Sequence, residues 1–322
     1  MRHLNRRDIL KLFSVGTFAA MGGELMRRSA EPSLPGVVSA PVFEDIDLSA
    51  VEFAESIQYM TTPAPSSAAY LRDFENVVAV EPPTLATYLE KMKNFEASHF
   101  SDVYLEQDRY PVLLSTFKRL DRVQNLVGHG NFNVISFDEM RRYAERYDSV
   151  GEFSDDELAF LEELFFANVS NFGFFGDKVI DNMTAVIPEK DRIKIPRTGH
   201  FLYRGEAEHF YRKLVHDVGP DVILTSGIRS VVKQMHLFLA KTIQSKGNLS
   251  RASRSLAPPG HSYHGIGDFD VGKRGFGRKN FTTEFANTPE FKRLVELGYV
   301  DMRYPENNLL GVRYEPWHVK VV

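Results

Sequence analysis

The stretch Pro258-Pro259-Gly260-His261-Ser262-Tyr263-His264-Gly265-Ile266-Gly267-Asp268-Phe269-Asp270-Val271-Gly272 places two histidines and two aspartates within ten residues. Imidazole and carboxylate are the usual ligands of a zinc site in a chain without thiols. Proline and glycine precede the cluster, and an apolar–acid alternation follows it. The expected arrangement is therefore a turn that runs into a strand. A strand has period two, so Asp268 and Asp270 share one face and Phe269 takes the other. A second cluster, Glu315-Pro316-Trp317-His318, lies near the C-terminus. Together the two suggest a metal held by three side chains, with a carboxylate base beside it. In an extended segment a spacing of three would send Glu315 and His318 to opposite faces, so Pro316 must break the alternation. Arg229 sits in a strand-to-helix turn, where a guanidinium can project over the carboxyl end of a sheet. An arginine alone is more often a surface ion pair, and Gln234 alone would be an ordinary solvent-facing residue.

The elements that must position these residues begin at about Ile195, where the pattern becomes mixed α and β. Ala207, Phe210, Tyr211, Leu214 and Val218 mark an amphipathic helix over Glu206–Val218, stopped by Gly219 and Pro220. Val222-Ile223-Leu224-Thr225 is a short buried strand. Ser230 caps a helix that runs to about Gln244. A basic, serine-rich loop is expected over Ser245–Ala257, a helix over about Pro289–Leu297, and two closing strands around Val300 and Val312–Tyr314. His200, His209, His216 and His236 stand singly near or on helices and are surface or packing residues.

Upstream, Thr84 to about Ile187 carries helical spacing: Leu85, Tyr88, Leu89 and Met92, then Val112, Leu113, Phe117, Leu120 and Val123 behind Pro111. Ser154 and Glu157 form a capping box ahead of Leu158, Leu161, Leu164 and Phe165. The segment Gly128–Glu139 has the length of a calcium-binding loop, but Gly128, Gly130 and Phe132 stand where oxygen ligands belong, so it is expected to be structural and calcium is not expected. Asn171-Phe172-Gly173-Phe174-Phe175-Gly176 is expected to form a packed corner.

The chain of 322 residues has a formal net charge of −4 and no cysteine. Thiolate catalysis, disulfides and cysteine-ligated zinc are excluded, and nothing suggests a nucleic-acid partner. Arg6-Arg7-Asp8-Ile9-Leu10-Lys11, an uncharged run over 12–23, and Val38-Ser39-Ala40 have the layout of a twin-arginine export signal. The apolar run is too short to span a membrane, so no stable span is expected after the signal is removed. The expected organisation is a signal over 1–40, an extended lead-in over 41–83, an α-helical domain over 84–194 and a catalytic domain over 195–322.

Three blocks carry a resemblance. Ser226-Gly227-Ile228-Arg229-Ser230-x-x-x-Gln234, then Ser262-Tyr263-His264-Gly265-Ile266-Gly267, then Gly298-Tyr299 with Arg303-Tyr304-Pro305 and Gly311-x-x-Tyr314-Glu315-Pro316-Trp317-His318, resemble in order the blocks of VanY-type D-alanyl-D-alanine carboxypeptidases. The resemblance covers about Ile195 to Val322. It implies an α+β zinc peptidase domain of the lysostaphin, D-Ala-D-Ala peptidase and hedgehog group, with a small antiparallel sheet. It implies one zinc ion on His264, His318 and an aspartate. Glu315 would be the general base toward zinc-activated water, and Arg229 would stabilise the oxyanion or hold the substrate carbonyl. Ser262 and Gln234 would serve the substrate, and Trp317 either walls the site or packs in the core.

The aspartate departs from the family spacing. The family places it seven residues after the histidine; here Asp270 follows His264 by six. A one-residue deletion makes Asp270 the ligand, with Asp268 the rival, and His261 is a neighbour that contacts substrate or orients a ligand. The expected function is an exported carboxypeptidase acting on peptidoglycan stem peptides at D-Ala-D-Ala, located in the periplasm or otherwise outside the cytoplasm. The alternatives are an endopeptidase or L,D-carboxypeptidase on the same material, or a cell-wall-binding protein that kept the fold without turnover.

Overall fold

The computed structural model describes residues 85–322. The export signal and lead-in expected over 1–83 lie outside the described residues. Helix α1 (Leu85–Lys93) is followed by α2 (Tyr110–Val127), which has Pro111 in its first turn. Helices α3 (Phe137–Arg146) and α4 (Asp155–Phe166) each begin with a complete capping box, Ser136 with Glu139 and Ser154 with Glu157. The Glu139 carboxylate is therefore engaged at a helix start, accepting from Ser136 N at 2.8 Å. That satisfies an otherwise orphaned helix donor and gives the Gly128–Glu139 loop a structural use.

The apolar faces of α2, α3 and α4 close on α6 (Val231–Gln244). Leu113, Leu120, Phe132, Met140, Leu161 and Phe165 form one core with Val232, Met235, Phe238 and Leu239. The segments on either side of residue 195 thus share a single apolar interior, and both fall within one compact unit. Helix α6 is buried from Val231 to Thr242, so its polar side chains need partners inside the protein. Lys233 Nζ donates to Gln124 Oε1 at 2.8 Å, and Lys241 Nζ pairs with Glu96 at 2.6 Å. The His236 ring stacks on Phe117 at 5.0 Å.

A second core underlies the elements that carry the candidate site. Strands β1 (Arg192–Lys194) and β2 (Phe201–Tyr203) form a two-stranded antiparallel ribbon. Strands β3 (Val222–Ser226), β4 (Phe269–Lys273) and β5 (His318–Val319) form an antiparallel sheet in the order β3-β4-β5. Helices α5 (Glu206–Val218) and α8 (Pro289–Glu296) contribute Leu214 and Leu294 beneath it, with Leu224, Phe269, Trp317 and Val319 from the sheet side.

Two expectations fail. The serine-rich stretch after α6 is not all loop: α7 (Leu249–Ser255) forms there, with Asn248 accepting from Arg251 N at 2.8 Å as its cap. Its polar residues resemble a loop only while their partners are unseen. Arg254 is buried and donates to both Asp102 oxygens and to the carbonyls of Phe95 and Ala97. The closing strands expected around Val300 and Val312–Tyr314 do not form, and the last strand is β5 instead. In that region the backbone bonds go to irregular partners: Arg313 N to Arg254 O, Glu315 N to Tyr304 O, and Asn308 Nδ2 to Val312 O.

Between α4 and β1 the chain runs as a strap, residues 168–187, across the loops that carry the candidate site. Val179 N and Ile180 N both donate to Gly260 O, and Phe175 N donates to Leu310 O. Gly311 has φ +85, and a Cβ there would lie 2.0 Å from Gly173 O. Only glycine allows the strap and that loop to approach so closely.

Candidate active site

Strand pairing builds the centre of the site. Asp270 on β4 sits directly opposite His318 on β5, and on its other side opposite Ser226 on β3, where a register shift bends the strand. His264 comes from the short helical turn Tyr263–Gly265 just before β4. Glu315 reaches the same point because the chain turns at Pro316-Trp317, closed by His318 N to Glu315 O at 3.2 Å. The alternation is thus broken where the proline demanded it.

His264 Nε2 and His318 Nδ1 each lie 3.2 Å from Asp270 Oδ1. That oxygen is buried and neither contact has hydrogen-bond geometry. The three donors all fall within 4.8 Å of one another. A tetrahedral zinc ion with bonds of about 2.0–2.1 Å separates its ligand atoms by roughly 3.3 Å. Two imidazole nitrogens and a carboxylate oxygen at such spacing fit one zinc ion and leave a fourth position for water or substrate.

The opposite ring nitrogens are occupied. His264 Nδ1 is 2.9 Å from Gly227 O, which directs Nε2 to the centre. Gly227 is required there, since a Cβ would meet Phe201 O at 2.0 Å. His318 Nε2 is 2.9 Å from Asp268 Oδ2. Asp268 is buried and takes Arg303 Nε at 2.6 Å on the same oxygen. It does not join the three donors.

Burial lowers the His264 pKa, and Arg229 lowers it further. Burial would also lower that of His318, but the carboxylates of Asp268 and Asp270 on its two edges prevail and raise it to about 9. Burial opposes ionisation of Asp270, yet His264 and Arg229 hold its carboxyl well below the usual range.

Glu315 stands beside the donors, with Oε2 3.9 Å from His318 Nδ1 and Oε1 3.9 Å from Arg313 Nε. Burial raises its pKa to about 7, against the pull of Arg313 and His318. A carboxyl poised near neutrality is suited to proton transfer at physiological pH. Arg229 donates through Nε to Ser226 Oγ at 2.9 Å and through Nη2 to Asp270 Oδ2 at 2.7 Å. It therefore anchors the Asp270 oxygen that faces away from the histidines, and it also lines the cleft.

The cleft is completed by Gln234 and Ser262, with Tyr304, Leu256, Ala257 and Val312 as its less polar walls. Gln234 donates to Ala257 O, and its Oε1 is buried without a partner. Trp317 does not line the cleft: it is buried in the core beneath the sheet, with Phe281 at its edge and the Arg313 guanidinium 4.8 Å over its ring. His261 is held by the strap, its Nδ1 3.0 Å from Asp177 O and its ring on Phe174, and it does not line the cleft either.

Sequence reasoning assigned no role to Arg303, Tyr304 or Arg313. Arg303 and Tyr304 fall within a block that carries the resemblance, so a signal was present. The Tyr304 ring packs edge-on against His318 at 5.0 Å. Arg313 lies 4.6 Å over Phe95, a residue far upstream, and no local pattern foretells that contact.

Three atoms spaced to hold one zinc ion, with a glutamate beside them, are the equipment that a zinc metallopeptidase uses. Residues 205–322 match the family model for VanY, D-alanyl-D-alanine carboxypeptidase, so this part of the chain is a VanY-type domain. Among solved structures, the LdcB LD-carboxypeptidase matches at 22% identity with a TM-score of 0.34, over 47% of this chain and 71% of its own. A vancomycin-resistance D,D-pentapeptidase VanY from a VanB-type cassette, solved with Zn(II), matches at 22% identity and TM-score 0.34, over 45% and 86%. VanYB in complex with D-alanine-D-alanine matches with the same figures. No curated protein matches the sequence.

Proposed function

We propose that the protein is an exported zinc carboxypeptidase that removes the terminal residue of peptidoglycan stem peptides ending in D-Ala-D-Ala. The observation that carries this reading is the convergence of His264 Nε2, Asp270 Oδ1 and His318 Nδ1 beside Glu315. A zinc ion held by those three atoms would supply Lewis acidity, lowering the pKa of water to about 7 and polarising the scissile carbonyl.

Glu315 accepts a proton from the attacking water and passes it to the departing amide nitrogen as the C–N bond breaks. Arg229 contributes fixed positive charge at the rim where the carbonyl oxygen gains negative charge. Gln234 Oε1, an acceptor without an internal partner, offers a bond to a substrate N–H. Ser262 offers a hydroxyl to the terminal carboxylate. The walls formed by Ala257, Val312 and Tyr304 favour a small terminal side chain.

A twin-arginine-like pattern over 1–40, read from the sequence alone, accords with a location outside the cytoplasm, where such peptides occur. Among the described residues no helix is long and apolar enough to cross a membrane. The test is incubation with muropeptides of defined length and mass spectrometry of the products. Loss of one D-alanine from a pentapeptide is expected. Loss of the terminal residue from a tetrapeptide only would make the enzyme an L,D-carboxypeptidase, release of a longer fragment an endopeptidase, and no product at all would leave a binding protein.

A further inference from the structure

We propose that Asp268 is a positioning residue of the metal centre: it accepts the His318 Nε2–H, fixes the imidazole tautomer and so presents Nδ1 to the metal. The inference rests on the reading of His264, Asp270 and His318 as ligands. It assigns Asp268 a different part from the ligand role it rivals Asp270 for in the sequence.

The geometry divides the two aspartates between the two edges of one ring. Asp270 Oδ1 faces His318 Nδ1 at 3.2 Å, and Asp268 Oδ2 faces Nε2 at 2.9 Å. An imidazole that donates from one nitrogen must ligate with the other. Asp268 has no capacity left for a metal. Its Oδ2 accepts from Arg303 Nε at 2.6 Å as well as from His318. Its Oδ1 accepts from Val321 N at 2.9 Å, Val322 N at 3.3 Å and Arg303 Nη2 at 3.3 Å. Arg303 is in turn seated on the Tyr263 ring, 3.4 Å from its centroid, and the Tyr263 hydroxyl donates to Asp177 Oδ2 at 3.3 Å. The carboxylate is thus pinned by a chain of contacts that begins on the strap outside the VanY-type domain. Asp268 thus stands behind the His318 ring, on the edge away from Asp270.

The test measures zinc affinity by chelator competition on the full chain, comparing wild type, Asp268→Ala, Asp268→Asn and Asp270→Ala. Asp268→Ala should bind zinc about 10–100-fold more weakly while still reaching one ion per chain at saturation. Asp268→Asn retains an acceptor for Nε2–H and should recover part of that loss. Unchanged affinity in a folded Asp268→Ala protein overturns the proposal. So does a complete loss of stoichiometric zinc matching Asp270→Ala, which would make Asp268 a ligand. Should Asp268→Ala not fold, the nitrogen-15 spectrum of His318 in zinc-loaded wild type decides. A protonated Nε2 with a metal-shifted Nδ1 supports the relay, and the reverse assignment refutes it. A wild-type protein that takes up no zinc would instead sink the metal reading on which the inference stands.

Discussion

Replacing Glu315 by glutamine is the sharpest perturbation of the proposed chemistry. The amide is nearly isosteric, so the three donor atoms and the turn at Pro316 should stay in place and zinc should still bind. What is lost is the only carboxylate among the described residues that line the cleft. Asp270 is committed to the donor set and Asp268 to Arg303, so neither can stand in as base. Positioned general bases contribute about 10²–10⁴ in rate. With no substitute at hand the loss should fall at the upper end, about 10³–10⁴ in kcat/KM, which is about 4–5 kcal/mol of transition-state stabilisation. The substitution has an opposite effect on stability in the metal-free protein. Burial raises the Glu315 pKa from 4.5 to about 7. The stability associated with its neutral form is full below the unfolded value and is lost as pH rises through the folded one. Metal-free wild type should therefore lose roughly 3 kcal/mol between pH 4 and pH 8 from this group, and Glu315→Gln should not. Chelator-treated samples followed by urea denaturation across that range, with zinc content and muropeptide hydrolysis measured in parallel, test both halves. Hydrolysis by Glu315→Gln within tenfold of wild type would refute the assignment of the base.

Asp270→Ala removes a donor that two histidines share and should abolish stoichiometric zinc, measured by elemental analysis after dialysis. Gln234→Leu removes an unpartnered acceptor in the cleft and should raise KM with little change in zinc content, read from steady-state kinetics. The fragment 205–322 would expose Val232, Met235 and Phe238 of α6, which the upstream helices bury. It is expected to lack cooperative thermal unfolding and to bind a hydrophobic dye. Phe238→Ala should cost about 3–5 kcal/mol and lower the midpoint of a single transition, followed by circular dichroism, rather than splitting it.

Much of the site was legible because its residues lie in short local patterns. His264 and Asp270 stand at a turn-to-strand junction, and Glu315 and His318 flank a proline. Helices α4, α5 and α6 were equally legible, because Ser154, Gly219 and Ser230 mark their ends by local capping chemistry. The errors came where distant partners decide. Helix α7 is rich in serine and arginine, and its burial depends on Asp102 and Glu96 from a segment far upstream. Trp317 next to His318 invited a place in the cleft, but adjacent residues near a strand point to opposite sides, and its side took it beneath the sheet. The choice between the aspartates depends on which edge of the His318 ring each meets, and no periodicity encodes that.

Part of the strap's hold on the site loops is made by main-chain atoms. Val179 and Ile180 offer their amides to Gly260, Phe175 offers its amide to Leu310, and Gly173 presents a carbonyl to Gly311. Such contacts are indifferent to most side chains but sensitive to length. An insertion or deletion between 173 and 180 would shift both site loops at once.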